Sequence, residues 1–175
     1  WTYTTGATRS GTTVASAAPQ LDGNHMVLVG NPLANVRASQ TVAVSGAKGD
    51  TFVFSGWAKG DSVVMDLGAA TPVRKFAIIG TFLYTDGTEG SFYANFNPDA
   101  DSSVNWQYSS AVMVAEKAYS SIRIEAAYDH NMNTMRFDGI QLYKERFGTG
   151  YTYDSNGNII SVKDLQNQTT TYEYS

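Results

Sequence analysis

From His25 onward the chain alternates polar and apolar residues with a period of two, the spacing of strands that bury one face. Met26 to Val29 is a short apolar run stopped by Gly30-Asn31-Pro32, and Val36 to Val44 alternates through Ala38, Gln40 and Val42. After the turn residues 45–50, Thr51 to Lys59 puts Phe52, Phe54, Gly56 and Ala58 on one face and Val53, Ser55, Trp57 and Lys59 on the other. Lys75 to Thr85 is apolar on both parities, which predicts a strand with one face on an opposing sheet and the other lining a groove. Asp86-Gly87 marks a hairpin turn with Ser91 to Phe96 as the return strand. Trp106 to Val114, Ser121 to Tyr128 and Phe137 to Tyr143 complete the set, with Arg123 and Glu125 turned outward. One stretch, Ala111 to Tyr119, also admits a helix, because Val112, Ala115 and Tyr119 share a helical face. Residues 1–24 are rich in Thr, Ser, Gly and Ala and read as loop and edge strand anchored by Trp1, Tyr3 and Val14.

Eight or so strands separated by turn signals predict an all-β protein whose residues 1–147 form an antiparallel jelly-roll β-sandwich. Composition agrees: Val, Ile and Thr number 39 against 7 Leu. At 175 residues the chain can bury a core without staples, and with no cysteine it has no disulfide, thiolate nucleophile or sulfur metal site. Twelve basic and 16 acidic side chains give a net charge of -4, the wrong sign for nucleic acid or anionic lipid. No apolar run approaches the ~20 residues of a membrane span, so no membrane insertion is expected. The chain has no initiator Met, signal peptide or basic leader, which reads as a piece cut from a longer protein.

The pattern changes after Glu145. Tyr151-Thr152-Tyr153-Asp154 and Tyr172-Glu173-Tyr174 repeat a Tyr-x-Tyr element at a period of 21, and Asp154-Ser155-Asn156-Gly157 is a tight turn. Residues 148–175 are therefore expected to form one hairpin unit of an array and the start of a second. Gly148, Tyr151, Tyr153, Asp154, Gly157 and Asn158 resemble the YD repeat of Rhs-type bacterial surface proteins and toxin shells. The resemblance implies following YD repeats of the same chain as partners, and a protein secreted or held at the bacterial cell surface.

Upstream, Ala38-Ser39-Gln40-Thr41-Val42, Phe52 to Lys59, Trp106-Gln107-Tyr108 and Phe137 to Leu142 resemble carbohydrate-binding modules of the galactose-binding-like jelly-roll type. This implies a polysaccharide or cell-wall glycan as ligand, and a structural calcium held in part by the closing Phe-Asp motif, here Asp138. Alternation offers Asp138 two roles. With Phe137 inward, Ile140 and Leu142 need a register change at Gly139, and the carboxylate either joins a hard cation or accepts N–H groups from the N-terminal segment.

Catalytic apparatus is not visible. His25 and His130 have no metal-ligand spacing, no Gly-x-Ser-x-Gly turn occurs, and Asp129-His130 reads as an exposed loop pair. Two oxygen-rich loops, Asn97/Asp99/Asp101 and Asp154/Asn156/Asn158, read as turns, the second because Leu165 stands where a calcium loop needs Glu. The 22 aromatic residues exceed what a core of this size requires. Sugars stack their C–H faces on such rings, with hydroxyls held by polar groups at the edge. The expected groove combines Trp57, Phe82, Tyr84, Tyr93, Arg123 and Glu125; alternatively Trp57 and Tyr84 cap the sheet against loops. The expected function is a non-catalytic glycan-binding module on a YD-repeat shell, or else a structural cap or spacer of that shell.

Overall fold

Each alternating stretch becomes a strand, because only a two-residue period lets a pleated chain bury one row of side chains and solvate the other. The computed structural model describes residues 1–10, 24–60, 74–98, 106–145, 150–154, 156–163 and 169–174. They fall into two units, Trp1–Tyr143 and Lys144–Ser175.

The first unit is a sandwich of two five-stranded sheets. One sheet orders β1 (Thr2–Tyr3), β4 (Arg37–Val42), β9 (Tyr119–Asp129), β6 (Lys75–Tyr84) and β7 (Glu89–Asn95). The other orders β2 (Ala7–Ser10), β3 (His25–Val29), β10 (Thr134–Glu145), β5 (Thr51–Gly60) and β8 (Gln107–Val114). The strand pairs β1/β4, β4/β9, β9/β6, β6/β7, β2/β3, β3/β10 and β5/β8 are antiparallel. The helical alternative at 111–119 is overturned: Ala111 to Val114 finish β8, paired with Thr51 to Phe54 of β5. Ladder bonds to a neighbouring strand and burial of Met113 at 0% exposure outweigh the weak helical period there.

Facing side chains of the two sheets fill the core. Phe52 and Phe54 of β5 meet Phe76, Ile78 and Phe82 of β6, with Ile122, Ile124 and Tyr128 of β9 and Phe137 of β10 around them. Phe82 lies 5.9 Å from Phe52 and 4.9 Å from Tyr119, ring centre to ring centre. Gly80 is one place where the sheets approach closely: a Cβ there would stand 2.8 Å from Met113 Sδ and 2.9 Å from Phe54 Cε1. The face of β6 expected to line a groove is closed at its described residues 77–81. Ala77, Ile79 and Thr81 point away from the core, yet none is more than 2% exposed.

The sandwich closes partly through side chains. Gln107 of β8 accepts the N–H of Asn97 at 2.9 Å and donates to its carbonyl at 2.8 Å, so an amide side chain stands in for a strand across the seam.

In the second unit, β11 (Gly150–Tyr153), β12 (Ile159–Lys163) and β13 (Thr169–Thr171) form a three-stranded antiparallel sheet. The turn between β11 and β12 is built by Asp154, whose Oδ1 accepts the N–H groups of Asn156 at 2.9 Å and Asn158 at 2.8 Å. Gly157 takes the left-handed conformation (φ 85°) that the tight turn requires. Asp154, Asn156 and Asn158 are thus a turn, as their spacing predicts.

Candidate functional site

Trp57 faces outward on β5, on the parity the sequence assigns to it, and its partner across the ladder is Tyr108 of β8. The rings are 5.1 Å apart and inclined by 54°. Among the described residues β8 is the last strand of its sheet, so its outward side chains have a strand neighbour on one side, and Tyr108 is 55% exposed. Trp57 is half-buried beneath this edge. Val112 and Val114 continue the exposed row along β8. The sequence reading missed Tyr108 as a contact, although its parity with Val112 and Val114, opposite Met113, was the signal.

The other expected contacts do not join Trp57 in one groove. Phe82 and Tyr84 lie between the sheets at 0% and 5% exposure, a correction to their expected place on a binding face. Their parity on β6 is the one that meets the opposing sheet; the Tyr84 hydroxyl accepts the N–H of Glu116 at 3.4 Å. Tyr93, 44% exposed, stands on β7 with the Lys75 ammonium 5.3 Å from its ring centre. Since β7 belongs to the other sheet, Tyr93 lies on the opposite outer face of the sandwich from Trp57.

Arg123 and Glu125 share that opposite face and are engaged by other side chains. Arg123 donates to both oxygens of Glu89, at 3.1 and 2.8 Å, and from Nε to Glu125 at 3.3 Å. Glu125 also faces Arg37 at 3.4 Å, and Arg37 grips Asp129 from Nε and Nη2. The result is a chain of alternating charge, Asp129–Arg37–Glu125–Arg123–Glu89, running over β9, β4 and β7. Hydrogen bonding and charge from these carboxylates hold both guanidinium groups above their ordinary range, and Arg123 in turn holds Glu89 below the usual carboxylate range.

Asp129 is therefore no exposed loop residue: it closes β9 at 1% exposure with its carboxylate committed to Arg37. Neighbouring His130 adopts φ 56° with Nδ1 3.2 Å from the Pro32 carbonyl.

At Asp138 the register change takes place as alternation demands. Phe137 is buried at 0%, Gly139 has φ 58°, and Ile140 and Leu142 return to the core. Asp138 Oδ1 accepts the N–H of Gly139 at 2.7 Å. A hard cation needs six to eight oxygens, and among the described residues no three His, Asp or Glu side chains gather that could hold one. Asp99 and Asp101 lie outside the described residues. Among the described residues Asp138 is thus not joined by the further carboxylates that a calcium site with several acidic ligands would need. Beside it opens a cleft of about 550 Å³ lined by Trp1, Tyr3, Arg9, His25 and Asp138, among others. Burial, reinforced by Arg136 and opposed by Asp138, lowers the His25 pKa from 6.5.

No family model matches the chain, and no curated protein matches it. Its fold is similar to that of the bacteriophage CBA120 tailspike protein 4 enzymatically active domain, at 15% identity and a TM-score of 0.54, covering 82% of this chain and 18% of that one. It is also similar to the CBM22-1 xylan-binding domain of Paenibacillus barcinonensis Xyn10C, at 13% identity and a TM-score of 0.52, covering 82% and 85%. TmCBM61 in complex with β-1,4-galactotriose matches at 13% identity and a TM-score of 0.48, covering 82% and 86%. At these identities the likeness is one of fold: an antiparallel sandwich resembling the jelly rolls of carbohydrate-binding modules.

Proposed function

We propose that the chain is a non-catalytic glycan-binding module attached to a YD-repeat shell of a secreted or cell-surface bacterial protein. The observation that carries the reading is the Trp57–Tyr108 pair, two rings 5.1 Å apart on the outer face of the sandwich with Tyr108 55% exposed. Amphipathic rings at a partly wet site suit the C–H faces and hydroxyls of a sugar. The likeness of fold to a xylan-binding domain supports the same reading. The YD-repeat context rests on the period of 21 and on the Tyr153-Asp154 pair, whose aspartate shapes its turn.

Affinity electrophoresis through soluble xylan, galactan and pectin tests it. Retardation by at least one polymer is expected, weakened roughly tenfold or more in Trp57→Ala or Tyr108→Ala at unchanged thermal midpoint.

One observation favours a second reading, a structural cap or spacer of the shell. Phe82 and Tyr84 are buried in the fold, and Arg123 and Glu125 are paired within the chain. Unaltered mobility in every polymer selects the spacer.

A further inference from the structure

Two residues beyond Trp57 on the same face of β5 stands Lys59, 8% exposed. Arg37, Lys117 and Arg123 form ion pairs with Glu125, Asp129, Asp86 and Glu89, whereas the Lys59 side chain makes no hydrogen bond or ion pair with a described residue. Buried side-chain N and O atoms without a partner number two among the described residues, Trp106 Nε1 and Asn131 Oδ1, so the Lys59 ammonium still touches solvent. A lysine with a covered stem brings its ammonium to the surface at a fixed place, and among the described residues no carboxylate meets it there. Methionine would fill the same volume without a charge, and no carboxylate of a described residue answers the lysine, so the ammonium suits an anionic ligand.

The surroundings favour an anion. A Cβ on Gly60 would meet the Thr134 carbonyl at 3.0 Å, and one on Gly56 the Asp138 carbonyl at 3.4 Å, so β10 runs alongside this stretch of β5. Met135 and Phe137 are buried inward, which turns Arg136 between them to the outer face; Arg136 has interactions of its own, and Asp138 lies nearer the Trp57 end of this stretch, so Lys59 is the cation assigned to the ligand. Trp57 and Lys59 are roughly 7 Å apart along the strand, about one sugar ring with its acid substituent.

We infer that the Trp57–Tyr108 platform takes an acidic sugar, whose ring stacks there while Lys59 holds its carboxylate or sulfate ester. This rests on the glycan-binding reading above. The net charge of -4 opposes non-specific attraction of polyanions, so a preference for acid reports a local site.

The probes for the whole chain are polygalacturonate, the same polymer after carboxyl reduction, and dextran sulfate, with neutral xylan and galactan alongside. Binding to polygalacturonate or dextran sulfate about tenfold tighter than to the reduced polymer is expected, and the tighter of the two identifies the acid group. Lys59→Met should remove that preference at unchanged affinity for the reduced polymer, and Lys59→Gln serves if the methionine variant does not fold. Trp57→Ala should weaken binding of acidic and reduced polymers alike. Equal binding of acidic and reduced polymers, or undiminished acid preference in the Lys59 variants, overturns the inference and leaves the glycan-binding reading intact. If no polymer, neutral or acidic, is bound, both fall.

Discussion

Arg37 holds Asp129 from a distance of 92 residues, with Nη2 2.6 Å from Oδ2 and Nε 3.0 Å from Oδ1. The carboxylate is 1% exposed and the guanidinium 21%, so one partner is fully inside while the other screens it from water. A pair of this kind matters most when half of it is removed, because the remaining charge stays buried without compensation.

Arg37→Met should therefore destabilise the sandwich by roughly 3 kcal/mol, and Asp129→Asn combined with it should recover part of the loss. Thermal unfolding of the two single variants and the double variant checks this. Additive losses would show that the residues do not act as a pair.

Gly80 stands where the two sheets approach closely, and a Cβ at 2.9 Å from Phe54 Cε1 and 2.8 Å from Met113 Sδ would force both fully buried neighbours to shift. Gly80→Ala should cost about 1–3 kcal/mol by overpacking. Denaturant unfolding should show a lower midpoint at unchanged slope, and Gly80→Ala with Met113→Ala should regain part of the lost packing.

His25 titrates against the fold. Its folded pKa lies below 6.5 because burial and Arg136 disfavour the imidazolium more than Asp138 favours it. The unfolded chain then binds more protons in this window, so the stabilisation is complete above pH 6.5 and is lost as pH falls from there through the folded value. The thermal midpoint should fall on acidification below pH 6.5, and His25→Gln should flatten that segment of the profile. A midpoint that rises on acidification would contradict the sign.

Asp138 already accepts the N–H of Gly139, and the described residues bring no second and third acidic or histidine ligand to it. Millimolar calcium should leave the unfolding midpoint unchanged, because an ion that does not bind the native state cannot stabilise it. A rise that disappears in Asp138→Ala would reverse this assignment.

Strand positions were legible because alternate side chains of a strand must choose opposite faces, and that choice is written in hydrophobicity. The same logic anticipated the bulge at Gly139: Phe137 and Ile140 cannot both face inward without an extra residue between them. It also turned Trp57 outward beside Ser55 and Lys59.

Parity alone could not say which face of a doubly apolar strand meets the other sheet. On β6 the row of Phe76, Ile78, Phe82 and Tyr84 does so, which removes Phe82 and Tyr84 from any binding face. Nor could linear order show that β8 is the last strand of its sheet among the described residues, or that Trp57 and Tyr93 stand on opposite outer faces. The pairing of Arg37 with Asp129 and of Arg123 with Glu89 belongs to the same class. Local sequence determines the period of a strand and the chemistry it displays, because both are set by the pleat of the backbone and its nearest neighbours. Sheet order and the company of each charge are decided only when strands distant in the chain meet, because burial and ion pairing depend on what lies across the ladder and on the far side of the core.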